Sequence, residues 1–252
     1  MCSVLSHLKW DSKFFGAKVG SLYLENNLDI TYQLKQASSL GFQLVYIYAR
    51  EAISEHVIGS FLLQDVGGQI TYSKDVNNAF CPYPSESYIH EFLQSSLNDE
   101  LLQLAFLSGL LSRFWIDPLL PVECYETMYE IWMKKTLLDR PNSIIYTYQE
   151  SGVNLGLITG QFKNSKCTVG HIAISPGYRG RGIGSKLLRE LEYRCLVQNI
   201  YNIEVKTQIS NVAANNLYLK NSFYEQEHVF LYHAHLTGAN PVIVNSSMLK
   251  NL

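Results

Sequence analysis

The sequence predicts an α/β protein in which a mixed β-sheet is flanked by helices. Hydrophobic residues make up 47% of the 252 residues and charged residues 17%, which is a globular composition. A chain of this length accommodates one large domain or two small ones with a substantial core. In its C-terminal part, short apolar runs with strand patterning alternate with amphipathic segments of helical period. This alternation predicts the mixed sheet, since strands and helices taken in turn form layered structures.

The N-terminal third is predicted to run β-β-α-β-α-β. Its first two strands are rich in Val, Leu, Tyr and Phe and are interrupted near Phe15-Gly16. Gly41 is a predicted helix stop, and a second helix is expected to end before Gly67-Gly68. The predicted segments are strands within 4–24, a helix over 30–40, a strand over 42–49, a helix over 52–64 and a strand over 69–76.

A connector separates two predicted domains. Residues 77–86, NNAFCPYPSE, contain prolines among polar turn formers. We therefore predict a smaller N-terminal α/β domain over 1–96, a second domain over 97–238 and a weakly patterned tail over 239–252. The segments predicted for the second domain are a strand over 88–94, a helix over 99–112 capped by Asn98 or Asp99, a helix over 122–138, a hairpin turning at Ser151-Gly152, a strand over 167–175, a helix over 183–198, a strand over 201–207, a helix over 211–221 and a strand over 223–236.

Charge, hydropathy and cysteine content argue against several classes of protein. The formal net charge of -2 lacks the basic excess of a general nucleic-acid binder. No run approaches the roughly 18 apolar residues of a membrane span, and no basic head precedes an apolar block at the N-terminus. The cysteines form no CxxC pair, which favours free thiols in a reducing cytoplasm over disulfides or a zinc site. They are Cys2, Cys81, Cys124, Cys167 and Cys195.

The segment SPGYRGRGIGSKLLREL, residues 175–191, places a glycine-rich basic turn before a predicted helix. Glycines allow a tight bend and leave no Cβ in the way of a ligand. The unpaired first amides of the helix and its dipole then form a site for an anion, above all a pyrophosphate. The order of Ser185-Lys186 is wrong for a Walker loop, and the glycine spacing is wrong for a dinucleotide fold. For the turn taken alone, the alternative is a surface loop with exposed arginines.

Two motifs in this region resemble those of the GNAT acetyltransferase superfamily. Arg179, Gly182 and Gly184 match its coenzyme A motif, Arg/Gln-x-x-Gly-x-Gly/Ala. Ser222 stands where its second motif has glycine, which is expected to alter the local turn without removing a chemical group. The resemblance covers roughly residues 100–238. The second motif, N-x-x-A-x-x-L-Y-x-K-x-G-F, is matched at Asn211, Ala214, Leu217, Tyr218, Lys220 and Phe223.

This resemblance implies a GNAT fold and a site for acetyl-CoA between two strands that splay apart, and no metal is expected. In the superfamily, the pantetheine arm lies in the gap and bonds to the backbone of the first strand, which implies contacts with Ile172, Ala173 and Ile174. Asn211 is also implied to reach the coenzyme, and the side chains of Arg179 and Arg181 are expected at the rim. The amides implied to hold the pyrophosphate are those of Gly180, Arg181, Gly182, Ile183 and Gly184.

The resemblance assigns the acid of the reaction but not the base. In many relatives, the tyrosine at the position of Tyr218 gives its proton to the thioester sulfur as the thiolate leaves. A phenol with a pKa near 10 is protonated at neutral pH and able to do so, while packing of a half-buried ring is the alternative role. The base is left open among His171, Glu86, Glu91 and His90.

The N-terminal third and residues 111–138 resemble TDP-fucosamine acetyltransferases. This resemblance implies a nucleotide-linked amino-deoxy sugar as the acceptor, held between the two domains. Arg113 is expected to pair with a substrate phosphate or with Asp117. Core packing is the favoured role for Trp10, Phe14 and Phe15. The similar segments are LKWDSKFFGAKVG at 8–20, stretches between 39 and 76, and an SRF-x-x-DP motif at Ser112, Arg113, Phe114, Asp117 and Pro118.

Three functions are therefore weighed. The first is N-acetylation of a nucleotide sugar such as dTDP-fucosamine. The second is acetylation of another small amine or of a protein N-terminus, and the third is a non-catalytic module that binds acetyl-CoA. The tyrosine at position 218 favours an enzyme over the third. A homodimer is one of the oligomeric states left open.

Overall fold

The computed structural model describes residues 5–26, 30–53, 57–58, 61–76 and 87–236 of the chain. Its helices are α1 Lys9–Phe15, α2 Ile30–Ser39, α3 Asp99–Ser108, α4 Arg113–Ile116, α5 Val122–Leu138, α6 Ile183–Val197 and α7 Val212–Lys220. Its strands are β1 Leu5–His7, β2 Val19–Leu24, β3 Leu44–Ala49, β4 Val57–Ile58, β5 Phe61–Asp75, β6 Ile89–Glu91, β7 Ser143–Glu150, β8 Val153–Lys163, β9 Lys166–Ile174, β10 Asn202–Gln208 and β11 Tyr224–His235. The sequence features that lie outside the described residues are Cys2, Cys81, Glu86, the connector at 77–86 and the tail at 239–252.

The strands of the described residues form one mixed sheet, which confirms the predicted fold class. Their order is β1-β2-β3-β11-β5-β10-β9-β8-β7-β6, and β4 pairs with β5. The β2–β3 and β9–β10 pairs are parallel, and the other pairs are antiparallel. Because β5 lies between β10 and β11, a strand of the N-terminal third joins two strands of the C-terminal part.

Helices cover both faces of the C-terminal half of the sheet. Adjacent residues of β8 show the two faces, because Leu157 packs with α3 and α5 whereas Ile158 packs with α6. The side of Leu157 is called the α5 face below, and the side of Ile158 the α6 face. Among the helices of the described residues, none is both long and apolar enough to cross a membrane. Cys124, Cys167 and Cys195 are free, buried thiols.

Several predicted boundaries agree closely with the structure. The predicted helix over 122–138 has the bounds of α5. Asn98 caps α3, since its side-chain oxygen accepts the Leu101 amide at 3.0 Å. Gly41 follows α2 with a φ of 80°, as a helix stop of this kind requires.

The predicted helix over 52–64 is wrong, because the described residues there form β4 and the start of β5. Phe61 and Leu63 alternate onto one face and pack in a core with residues of α2 and β11. The strand then continues through Gly67-Gly68 while it pairs with β11. Pairing with a strand far away in the sequence thus outweighed a local helical pattern. The short helices α1 and α4 were not predicted.

The domain division at residue 96 stays a prediction, and the sheet is continuous across it. β3 pairs with β11, and β5 pairs with both β10 and β11. The N-terminal helix α1 packs on α4 and α5, with Phe14 and Phe15 buried in one core with Phe114 and Met128. The predicted core roles of Phe14 and Phe15 are confirmed. Trp10 is partly buried and stacks on Phe14 at a centroid distance of 5.3 Å.

Candidate active site

Strands β9 and β10 separate halfway along their length. They pair in parallel from Lys166 beside Asn202 to Val169 beside Val205. Beyond Val169, β9 continues to Ile174 and pairs only with β8. The backbone groups on the open side of this segment face a gap between the two strands.

A bulge in β9 marks the point of separation. The register of β8 against β9 shifts between Ile158 and Gly160, so Thr159 alone faces two residues of β9, Gly170 and His171. The Thr159 hydroxyl oxygen accepts the backbone amide of His171 at 2.8 Å, which fixes the bulge. A bulge bends its strand, so β9 turns away from β10 at this point. Ile172, Ala173 and Ile174, expected to face the pantetheine arm, follow the bulge and lie along the gap.

The glycine-rich turn connects β9 to α6 and presents open backbone. Gly180 and Gly182 have φ values of 78° and 77°, and a Cβ added to either would meet nothing within 4 Å. No side chain caps α6, and its first hydrogen bond runs from the Lys186 amide to the Gly182 carbonyl. The preceding amides are therefore free to bind an anion.

The two arginines of the turn are exposed at its rim. Nε of Arg179 donates to the carbonyl of Ile174 at 3.1 Å, and the guanidinium of Arg181 lies 4.6 Å from the ring centroid of Tyr178. Neither contact uses all the donors of a guanidinium, so both side chains retain capacity for an anionic ligand.

Gly184 and Asn211 have structural roles that the sequence did not indicate. A Cβ on Gly184 would lie 3.1 Å from Leu217, so this glycine allows α6 and α7 to approach closely. The side-chain oxygen of Asn211 accepts the amide of Ala214 at 3.1 Å and caps α7. Contact of Asn211 with the coenzyme stays a prediction. Because the side-chain oxygen caps α7, the side-chain nitrogen would make this contact.

Tyr218 points from α7 into the core of the α6 face. Its side chain is 2% exposed, and its ring lies 5.6 Å from the rings of Tyr72 and Phe223. Burial raises the pKa of Tyr218, so the phenol is protonated at neutral pH. Since Tyr72 lies on β5 opposite Val205, the last residue of β10 that pairs with β9, Tyr218 lies close to the point of separation.

Ser222→Gly is expected to stabilise the protein by up to about 1 kcal/mol. Ser222 has a φ of 64°, a conformation that costs a residue with a Cβ roughly 1–2 kcal/mol. Glycine loses more backbone entropy on folding, at a cost of about 0.5–1 kcal/mol, which offsets part of the gain. Urea denaturation measures the difference. Ser95→Gly is the control, because Ser95 lies in an exposed bend and does not have a positive φ. This change should lower the stability of the protein. Equal effects of the two changes would contradict the expectation.

A cleft of about 700 Å³ opens on the α5 face beside the bulge. It lies between α5 and the sheet, and therefore approaches the separated strands from the side opposite to α7. Of the residues that line this cleft, His171 alone was singled out from the sequence. The wall residues with polar or aromatic side chains include Tyr129, Trp132, Lys135, Asp139, Thr159 and His171.

Of the three candidate bases that the structure describes, His171 alone lines this cleft. It is 6% exposed, and burial lowers its pKa to about 4, so the imidazole is neutral at pH 7. His90 and Glu91 are exposed on β6, the edge strand of the sheet.

Arg113 lies among aromatic rings, one of which, that of Phe114, is 5.9 Å from the ring of the cleft residue Trp132. Its guanidinium carbon is 4.2 Å from the ring centroid of Tyr46 and 4.7 Å from that of Phe114, which are cation–π distances. Its Nη1 donates to the hydroxyl of Tyr48 at 2.5 Å. Within the described residues, no carboxylate forms an ion pair with it.

Asp117 is bonded to two histidines rather than to Arg113. Its Oδ2 accepts Nδ1 of His233 at 2.6 Å and Nε2 of His235 at 2.9 Å, and all three side chains are buried. Burial alone would raise the pKa of Asp117, but the bonds from the two histidines bring it below its ordinary value. The carboxylate oxygen and the two imidazole nitrogens lie within 4.8 Å of one another, as the ligand atoms do in some metal sites. Two imidazole N–H donors account for both distances, so the group itself gives no argument for a metal.

Comparison with known families accounts for this arrangement. Residues 104–223 match the sequence profile of the Acetyltransferase (GNAT) family. The chain carries a GNAT acetyltransferase domain. The matched range also contains both motifs that resemble this superfamily. The matched range contains the bulge, the glycine-rich turn and Tyr218.

Proteins similar to this chain include one curated relative. The spore coat polysaccharide biosynthesis protein SpsD of Bacillus subtilis is 25% identical over 135 residues. The match covers 54% of this chain and 46% of SpsD, so it spans less than half of that relative's length.

Solved structures share the fold at low identity. The GCN5-related N-acetyltransferase from Sphaerobacter thermophilus has a TM-score of 0.60 and 15% identity, over 93% of this chain and 76% of its own. A functionally unknown conserved protein from Staphylococcus epidermidis has a TM-score of 0.60 and 14% identity, over 90% of this chain and 87% of its own. At these identities the likeness establishes the fold, and the acceptor has to be argued from the site.

Proposed function

We propose that this protein is an acetyl-CoA-dependent N-acetyltransferase, and that it moves the acetyl group to the amine of a nucleotide-linked amino-deoxy sugar, such as dTDP-4-amino-4,6-dideoxy-D-galactose. The observation that carries the proposal is the gap between β9 and β10, which has an open anion-binding turn at its end and a separate cleft at its bulge. A coenzyme and an acceptor can thus approach the same point from different sides. Direct attack of the amine on the thioester needs this geometry and no covalent intermediate.

In this proposal, the coenzyme binds along the gap. The amides of residues 180–184 hold the pyrophosphate, and the open backbone of residues 172–174 holds the pantetheine arm. Tyr218 then lies on the α6 face next to the thioester and protonates the departing thiolate. Support for this role is its burial close to the last β9–β10 pair, which keeps the phenol protonated.

The acceptor is proposed to occupy the cleft on the α5 face and to extend towards Arg113. Arg113 and Lys135 both lie near Asp11, where burial raises the pKa of the carboxyl group and these two cations oppose the rise. The N-terminal third supplies Asp11 and the tyrosines around Arg113, so it would help to select the acceptor. The name of SpsD, which refers to polysaccharide biosynthesis, agrees with a sugar substrate. Free buried thiols agree with a reducing compartment such as the cytoplasm.

The direct test is release of free thiol from acetyl-CoA in the presence of a panel of acceptors. The panel contains dTDP- and UDP-linked amino sugars, polyamines and short peptides with a free N-terminus. We expect turnover with a nucleotide amino sugar and a much lower kcat/KM with the others. Preference for a peptide or a polyamine would replace the proposed acceptor, and tight acetyl-CoA binding without any turnover would favour a binding module.

Arg113→Met is expected to raise the KM for the nucleotide sugar by about 10- to 100-fold, since a hydrogen bond to a charged group contributes about 1.5–3 kcal/mol. The change keeps much of the apolar stem that packs on Phe114 but removes the positive charge that lies among the rings of Tyr46, Tyr48 and Phe114. Arg113→Lys is the matched control, because lysine keeps the charge but lacks the planar guanidinium group. Its KM for the sugar should lie between those of the parent and of the Met variant. The KM for acetyl-CoA should not change. An unchanged KM for the sugar in a folded Met variant would remove Arg113 from the acceptor site.

A further inference from the structure

Ser108, at the end of α3, lies within hydrogen-bond distance of both the Ala105 carbonyl and the His171 ring. The Ser108 hydroxyl donates to the carbonyl of Ala105 at 2.6 Å and lies 3.1 Å from Nδ1 of His171. A serine hydroxyl has a single hydrogen, so it cannot donate to both. The next amide, that of Gly109, bonds to Phe106 instead of Ala105. The Ala105 carbonyl at the helix end therefore depends on the serine for its donor.

The proton of the imidazole consequently lies on Nδ1, which donates to Ser108. The His171 ring is neutral at pH 7, because burial lowers its pKa to about 4. A neutral imidazole protonated on Nδ1 has its lone pair on Nε2. Since His171 lines the cleft of the α5 face, Nε2 is the nitrogen left to meet an acceptor.

We infer that His171 is the catalytic base that takes the proton from the attacking amine, and that Ser108 is a positioning residue that holds its reactive tautomer. His171 belongs to the bulge where β9 leaves β10, so it lies at the inner end of the gap. Its side chain is on the α5 face, whereas Tyr218 is on the α6 face. The base and the acid thus flank the thioester position from opposite sides of the sheet.

The other described candidates are too far from the gap. His90 and Glu91 lie on β6, which is separated from β9 by β7 and β8. Three strand spacings of about 4.8 Å place them about 14 Å away. They are also exposed, so their charges are surrounded by solvent.

The inference rests on the proposed acetyl transfer, and its steps balance. The amine nitrogen forms a bond to the carbonyl carbon of the thioester, and its N–H proton passes to Nε2 of His171. The carbon–sulfur bond breaks, its electron pair leaves with the sulfur, and the thiolate takes the phenolic proton of Tyr218. The imidazolium then gives one proton to water, and the phenolate takes one from water, which restores both residues.

Kinetics with His171→Ala test the role of the base. We expect kcat to fall by about 10²- to 10⁴-fold, while calorimetry shows an acetyl-CoA Kd within twofold of the parent. Added imidazoles should restore part of the rate, and the rescue should increase with the basicity of the imidazole at constant size. If the His171 side chain only filled space, the rescue would depend on the size of the added imidazole and not on its basicity. Rescue that is independent of basicity, or a folded variant with the parent rate, would overturn the inference.

A second measurement, of the tautomer itself, needs no acceptor. Long-range proton–nitrogen NMR of the full chain with ¹⁵N-labelled histidine reports the tautomer of each imidazole, and His171→Asn assigns the signal. We expect a neutral ring with the proton on Nδ1 down to pH 5, and a proton on Nε2 would overturn the inference. In Ser108→Ala the Nε2-protonated form should appear and kcat should fall at unchanged KM, while Ser108→Thr should restore both. If the parent enzyme acetylates no amino sugar, the proposed acceptor is wrong, and the tautomer still decides for or against His171.

Discussion

Gly182→Glu is expected to abolish acetyl-CoA binding while the fold survives. A Cβ at this position meets nothing within 4 Å, so the new side chain extends into the space in front of the turn rather than into the core. Its carboxylate then faces the pyrophosphate that the amides of the turn are proposed to hold. Two like charges about 4 Å apart repel by about 4 kcal/mol at an effective dielectric constant of 20, which is about 1000-fold in Kd.

Gly182→Gln provides the matched control. Gln and Glu have the same shape and suffer the same strain, because the φ of 77° at Gly182 disfavours any residue with a Cβ. The Gln variant should bind acetyl-CoA weakly, and binding by the Glu variant should be too weak for calorimetry to detect. Gly184→Glu is less informative, since Leu217 lies 3.1 Å from its Cβ position and the fold itself would be disturbed. Undiminished binding by a folded Glu variant would show that the turn is not the pyrophosphate site.

The sequence predicted most where the relevant interactions are local. The turn before α6, the cap of α3 at Asn98 and the bounds of α5 depend on residues a few positions apart. Ser222 was expected to alter a turn that favours glycine, and it adopts a φ of 64°. In each case, backbone geometry within one turn of chain decides the result, and a single sequence contains that information.

The sequence predicted least where distant segments meet. A helix was predicted over 52–64, but β11 pairs with residues 62–64 at its end from more than a hundred residues away. The partner of Asp117 was sought at Arg113, four positions before it, and was found in His233 and His235 on β11. No local pattern specifies such contacts, because they depend on the assembled sheet.

The candidate site likewise has one side that the sequence predicted and one side that depends on distant segments. Its coenzyme side was named residue by residue from two motifs, and these residues lie along one gap, in one turn and on α7 with its cap. Its acceptor side depends on a cleft between α5 and the sheet, and on the end of α3 that brings Ser108 to His171. Of the candidate bases in the part of the chain that the structure describes, that packing brings His171 alone into the cleft.

Tyr218→Phe is expected to lower kcat by about 10²- to 10⁴-fold with little change in the Kd of acetyl-CoA. The change keeps the ring that packs on Tyr72 and Phe223 and removes only the proton donor. We expect the lower end of the range, because burial raises the pKa of Tyr218 above 10 whereas a thiol has a pKa of about 8.5. The proton is therefore transferred uphill, and a water molecule is able to replace part of the effect.

Tyr72→Phe is the matched control for this change. Tyr72 is equally buried at 2% exposure, and its ring lies 5.6 Å from that of Tyr218, so removal of its hydroxyl causes a similar loss of polarity in the same core. It should keep the parent kcat under conditions in which chemistry limits turnover. A loss in kcat without a loss in affinity identifies an interaction made in the transition state. If Tyr72→Phe lost the activity and Tyr218→Phe retained it, the acid would be Tyr72. If both retained it, the thiolate would take its proton from water and Tyr218 would serve only to pack α7 on the sheet.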